Sequence, residues 1–241
     1  LVQLGLKVII IDADLGLSNI DIVLGMNSKY NLSDVINYKK DILDIIEEGP
    51  NGIKFISGGS GMQDLISIDK HQLTNLLIQL EKLDEEADII FIDTGAGLSD
   101  NVLNFIYAAK EIILVTTPEP TAITDAYALV KTISKHDKNK EIKLLINRAE
   151  SGKEAENLLF KLNEVSEKFL GVTLHKLGYV INDPNVTKAV KLQHPFVLAF
   201  DKTEASKNVS DIADILITDE LIKQNSTNGI RLFINKLKWF F

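Results

Sequence analysis

The sequence predicts an α/β fold: a doubly wound, mostly parallel sheet with helices on both faces. Three observations carry that prediction. Its short β-branched runs are near-continuously apolar, they alternate with longer amphipathic segments, and acidic residues and glycines gather just after the runs. Strands covered by helices on both faces lose the in-and-out alternation of a half-exposed sheet, and strand–helix alternation winds into a parallel sheet. Such sheets bind ligands beyond the carboxyl ends of their strands.

The elements follow in order. "KVIIID" (7–12), "IKFIS" (53–57), "ADIIFID" (87–93), "EIILVTT" (111–117), "IKLLIN" (142–147) and "HKLGYVI" (175–181) read as strands. Helical periodicity fills about 69–83, 98–108, 121–136, 154–170 and 204–223. In 154–170 the apolar positions Ala155, Leu158, Leu159, Leu162, Val165 and Phe169 recur at steps of three and four, which predicts one buried stripe. The polar stretch "KQNSTNG" (223–229) reads as a linker, dividing a domain over 1–222 from a tail over 230–241.

Composition narrows the chemistry. The chain has 241 residues, 45% of them apolar and 25% charged, enough to bury a sizeable core. No apolar run reaches the ~18 residues of a membrane-spanning helix. Cysteine is absent, which removes disulfides and thiolate metal sites, and the four histidines lack ligand-like spacing. The net charge of −8 argues against specific attraction to nucleic acid. That average is uneven. Residues 224–241 carry Arg231, Lys236 and Lys238 and no acid, leaving 23 bases against 34 acids elsewhere.

The carboxyl ends of the strands hold the candidate site. The first strand runs into "DADLGLSN", with Asp12 and Asp14 two apart and therefore on one side if the strand continues. The third runs into "DTGAGLSDN", beginning at Asp93, and the fifth into "NRAE". Aspartates ending apolar strands suit a Mg²⁺–phosphate site, because magnesium takes one or two carboxylates together with waters and substrate phosphates. The alternative for any one of them is a helix cap or turn former. "SGGSGMQD" (57–64) lacks the lysine and hydroxyl of a phosphate-binding loop and reads as a strand-to-helix turn.

The stretches "VIIIDADLGLSNIDIVLG", "DIIFIDTGAGLSDNVLNF", "ILVTTPEPTAITDAYALVK", "LLINRAE" and "VINDPNVTKAVKLQHPFV" resemble the MinD/ParA group of deviant-Walker ATPases. Within it they look most like the flagellar-number regulators of the FlhG/FleN/YlxH type, in order and over about residues 1–220. The resemblance implies ATP or ADP and Mg²⁺ as cofactors, with Asp14 on the attacking water and Asp12 and Asp93 at the metal. It places Gly16 and Asn19 in the first switch and Gly95 and Gly97 in the second. Asn147 and Arg148 would contact the adenine, and Asp183 would lie in the loop over the base. It also implies an ATP-driven homodimer, cytoplasmic and peripheral on the inner leaflet of the cell membrane. Its expected partners are a flagellar GTPase of the signal-recognition-particle type or basal-body proteins. A division-site regulator or a non-catalytic scaffold are the alternatives. The family's K-G-G-x-G-K-[ST] loop has no match in these 241 residues, and "LVQLG" matches only the end of the helix that follows it. A strand, the loop and most of that helix are therefore expected to be missing, and with them ATP hydrolysis.

The tail "GIRLFINKLKWFF" carries an apolar stripe of Ile230, Phe233, Ile234, Leu237, Phe240 and Phe241 at helical spacing, with Leu232 and Trp239 across from it. Aromatics beside three cations predict a helix lying at a membrane interface, as the family resemblance also implies. The competing expectation is a helix docked on the protein's own core.

Overall fold

The computed structural model describes residues 1–14, 19–59, 70–218 and 229–239. Strand β1 (Val8–Ala13) is buried at all but one position and pairs in parallel with β3 (Lys54–Ile56) on one side and β4 (Ile89–Thr94) on the other. A two-residue antiparallel strand, β2 (Glu47–Glu48), edges this sheet, giving the order β2-β3-β1-β4. Strands β5 (Glu111–Thr116), β6 (Glu141–Ala149) and β7 (His175–Ile181) form a second parallel sheet in that order. The six strands read from sequence all form, but among the described residues they fall into two sheets.

Helices α3 (Lys70–Glu81), α4 (Asp100–Ala108), α5 (Pro120–His136), α6 (Gly152–Leu170) and α9 (Glu204–Thr218) match the periodic segments. Their ends are written locally. Pro120 opens α5, where its missing N–H is harmless, and Ser99 and Ser151 accept backbone N–H groups of α4 and α6. Gly171 closes α6 at φ 67°, a left-handed turn that glycine adopts freely. Four short helices were not legible: α1 (Ile20–Val23), α2 (Leu32–Ile36), α7 (Pro184–Lys191) and α8 (Phe196–Ala199). Each has eight residues or fewer, too short for periodicity to show, although Asn31 and Asp34 form a capping box around α2.

The stripe predicted on α6 holds through Leu162 and then shifts. Ser166 takes the next inward position, leaving Val165 and Phe169 37% and 66% exposed. The buried set Ala155, Leu158, Leu159, Leu162 and Ser166 lies on one face, and the two outward residues flank it.

The tail forms helix α10 (Gly229–Leu237), starting inside the stretch expected to be linker; residues 219–228, Phe240 and Phe241 lie outside the described residues. Here the structure shows the docked arrangement that the sequence offered as the competing expectation. Ile230, Phe233, Ile234 and Leu237 are buried in one core cluster with Ile9, Ile11, Leu76, Leu80 and Ala108, not presented to solvent. Phe233 stacks on Phe105 of α4 with ring centroids 6.3 Å apart, and Lys238 approaches Glu81 at 4.0 Å. Apolar burial on an existing core satisfies the stripe without a membrane. Leu232 and Trp239 remain exposed, Trp239 at 89%. Nearby, Lys140 reaches the carbonyls of Tyr107 and Ala109 at the end of α4; burial, and then the Lys236 charge on α10, bring its pKa down to about 8.

Candidate functional site

Register places the first two carboxylates together. Asp12 and Asp93 are direct partners in the parallel ladder between β1 and β4, so their side chains leave the same face of adjacent strands. Asp14 follows two residues beyond Asp12 and lies over Gly95: a Cβ there would sit 3.1 Å from Asp14 Oδ1 and 3.2 Å from its Cγ. Glycine at 95 is what lets the second loop approach the first this closely. Gly97, two residues on, takes φ 109°, a conformation other residues rarely adopt.

Asp12 is 1% exposed, and its oxygens are engaged by the backbone. Oδ1 accepts from the Asp14 N–H at 3.1 Å, and Oδ2 accepts from Asn19 at 3.0 Å and Ile20 at 3.3 Å. The cap alternative is thus realised here: Asp12 ties the end of β1 to the start of α1. This does not displace a metal role, because two carboxylate oxygens can accept about four bonds. Gly16, expected in the same loop, lies outside the described residues; Asn19 enters through its backbone.

Asp93 sits at the rim. Loss of water on its inner side raises its pKa, and the Asp12 and Asp14 charges raise it further. A carboxyl held above its ordinary value adds stability that is fully present below pH 3.8, where an ordinary aspartate is protonated, and is lost as pH rises through the folded-state pKa. Ionised Asp93 therefore costs stability at neutral pH. Asp93→Asn is expected to raise the melting temperature at pH 7 by about 1–2 °C, a screened effect of about 0.5 kcal/mol. Thermal melts across pH check this; the difference should vanish as pH falls toward 3.8.

The converging charges fit a divalent cation, which would relieve their repulsion. Among the described residues no three acidic or histidine side chains gather tightly enough to hold a metal alone. Phosphates and water would have to complete the shell, as is usual for magnesium.

A second polar group gathers on the other sheet. Asn147, on β6, accepts the Arg148 N–H at 2.9 Å, while Arg148 takes φ 57° at a break in the β6–β7 register. Such irregularities re-aim side chains at functional edges. The Arg148 guanidinium lies 4.0 Å from Glu119 after β5. Asn182 reads across the same edge, donating from its backbone to Ala149 and from its side chain to Glu150 at 3.0 Å. Asp183 caps α7 by accepting from Asn185 at 2.8 Å. Asn182 and Glu119 were missed from sequence; the adjacent "INDP" and "TTPEP" were the available signals. The structure thus brings Asp12, Asp14, Asp93 and Gly95 together on the first sheet, while on the second it places Asn147 and Arg148 near the carboxyl end of β6 and Asp183 just past β7.

Comparison with known proteins agrees with this layout. A ParA family model, described as NUBPL iron-transfer P-loop NTPase, matches residues 1–217. The antiactivator FleN of Pseudomonas aeruginosa is 34% identical over 98% of this chain and 84% of its own length. The flagellum site-determining protein YlxH of Helicobacter pylori is 30% identical over 98% of this chain and 79% of its own. Among solved structures, MinD of Pyrococcus horikoshii with Mg-ADP superposes with a TM-score of 0.71 at 22% identity, covering 92% of this chain and 88% of its own, and so shows a shared fold. Paired aspartates on neighbouring parallel strands, a polar edge on the second sheet and a family match over most of the length lead to one conclusion: the chain belongs to the ParA/MinD family of P-loop NTPases, a family of ATPases.

Proposed function

We propose that this chain is the switch portion of an ATP-driven, membrane-associated dimerisation regulator that controls the placement or number of flagella. The observation that carries the reading is the Asp12–Asp93 register pair with Asp14 packed over Gly95. Asp12 and Asp93 would hold Mg²⁺ with nucleotide phosphates, and Asp14 would orient the attacking water. The ion, when bound, supplies charge neutralisation at the phosphates. Asn147, Arg148 and Asp183 form the edge on which an adenine would rest. The flagellar side of the proposal is supported by the likeness to FleN and YlxH. Homodimer formation, contact with the inner leaflet and flagellar GTPase or basal-body partners belong to the same reading.

The 241 residues contain no K-G-G-x-G-K-[ST] loop, and hydrolysis by them alone is not expected. Nucleotide titration of this chain beside one extended at its N-terminus by a segment carrying K-G-G-x-G-K-[ST] is the test. Tight Mg-ATP binding only in the extended form is expected, and equal affinity would overturn the reading. The membrane step requires α10 to leave its seat, since its apolar stripe is buried. Trp239 is the sole tryptophan and stands exposed, so its emission should shift to the blue on anionic vesicles when the helix transfers. An unchanged spectrum, together with co-sedimentation that ignores removal of 229–241, would sink the membrane step.

A further inference from the structure

Two helices that follow strands of different sheets end against each other. Helix α1 closes in a Schellman turn: the Gly25 N–H donates to the Ile22 carbonyl at 3.1 Å and that of Met26 to Asp21 at 2.8 Å, with Gly25 left-handed at φ 70°. Helix α7 closes in the same way. Gln193, at φ 52°, donates to the Val190 carbonyl at 3.0 Å, and His194 donates to Ala189 at 3.1 Å. The two left-handed residues touch through their backbones, since a Cβ on Gly25 would sit 2.7 Å from the Gln193 carbonyl oxygen. Glycine is thus required at 25 both by conformation and by contact, whereas Gln193 holds a conformation that residues with a side chain seldom adopt. At their other ends both helices are tied to carboxylates of the candidate site. Asp12 accepts from Asn19 and Ile20 at the start of α1, and Asp183 accepts from Asn185 at the start of α7.

We propose that the Gly25–Gln193 contact is a linkage through which the Asp12 side and the Asp183 side of the site set each other's position. A ligand that draws on the Asp12 carboxylate competes with the N–H groups of Asn19 and Ile20, and so displaces the start of α1. That helix has four residues and is ~6 Å long, short enough to move as a unit. The contact at its far end has no slack, because it leaves no room for even one added carbon. Movement of α1 is therefore passed to Gln193. Gln193 supplies the second state: leaving the left-handed region relieves its backbone strain and opens the cap of α7, a discrete step rather than a gradual one. Little packing opposes this from outside, where Ile22, Val23, Val190 and Leu192 are all exposed. Coupling between two sites is reciprocal, so a change at Asp183 returns along α7 to α1. The linkage belongs to the polypeptide and does not require the ligand to be a nucleotide.

Amide hydrogen exchange of the full chain, with no ligand added, tests the linkage. Asp183→Ala is expected to speed exchange at Leu24 and Met26, and Asp12→Asn to speed it at Gln193 and His194, each by about threefold or more. Ser151→Ala removes a cap of the same kind from α6, which lies outside the linkage, and is expected to leave all four amides unchanged. Gly25→Ala forces a carbon against the Gln193 carbonyl and is expected to speed exchange at both pairs; a cost confined to residue 25 would speed Leu24 and Met26 alone. Should Gly25→Ala fail to fold, the other three variants decide. The proposal is overturned if either cross-effect, from Asp183 to α1 or from Asp12 to the end of α7, is missing. It is equally overturned if Gly25→Ala acts only on its own helix, or if Ser151→Ala speeds the four amides as much as Asp183→Ala, which would mean general softening.

Discussion

Replacing Phe233 with alanine is expected to lower the unfolding free energy by about 3–5 kcal/mol, the cost of removing a large aromatic from a closed core. The ring is 6% exposed and stacks on Phe105, and its neighbours Ile230, Ile234 and Leu237 are buried in the cluster that holds β1 and α3. A tail that served only as a membrane anchor would be solvated in the free protein, and its truncation would leave stability within about 0.5 kcal/mol of the parent. Urea unfolding followed by circular dichroism separates the two. Trp239→Ala supplies the internal control, since that side chain is 89% exposed and should change stability little. If Phe233→Ala proves neutral, α10 does not occupy this seat in solution.

Asp12→Ala is the second large effect, expected to cost about 3 kcal/mol. Three backbone N–H groups, those of Asp14, Asn19 and Ile20, converge on a carboxylate that is 1% exposed. Each bond to a charged acceptor contributes ~1.5–3 kcal/mol, and buried donors left without an acceptor are costly in their own right. Asp12→Asn keeps one acceptor oxygen and should recover part of the loss. The sign is opposite to that expected for Asp93→Asn, although the two residues are ladder partners at one end of one sheet. Backbone donors make the Asp12 carboxylate a structural tie, whereas partial loss of water, and then the charges of Asp12 and Asp14, make ionised Asp93 unfavourable. Equilibrium unfolding of the three variants at neutral pH checks the contrast; destabilisation of similar size by Asp93→Asn and Asp12→Ala would remove it.

Much of this was legible in the sequence because it is local. Near-continuous apolar runs gave all six longer strands to within two residues at each end, since a strand buried on both faces needs no more than its own composition to declare itself. Caps such as Ser99, Ser151 and Pro120 mark helix starts by chemistry confined to one turn. Asp12, Asp14 and Asp93 stood out by their position after those runs. Their division of labour did not. That Asp93 meets other carboxylates depends on register between segments some eighty residues apart, and the turn that brings three N–H groups back to Asp12 has no periodic signature. The shift of the α6 stripe at Ser166 escaped for a related reason: several faces of a helix fit steps of three and four, and packing selects one.

By itself, the sequence determined the strands, the longer helices, the family and the residues gathered at the strand ends, because each is written in contiguous patterns. The tertiary structure alone decided where the tail's apolar stripe goes. Amphipathicity states that a face must leave water but not which apolar surface receives it, and the seat formed by β1, α3 and α4 exists only once those elements have assembled. That β4 and β5 fall into separate sheets among the described residues was decided at the same level, for strand pairing depends on register between distant segments.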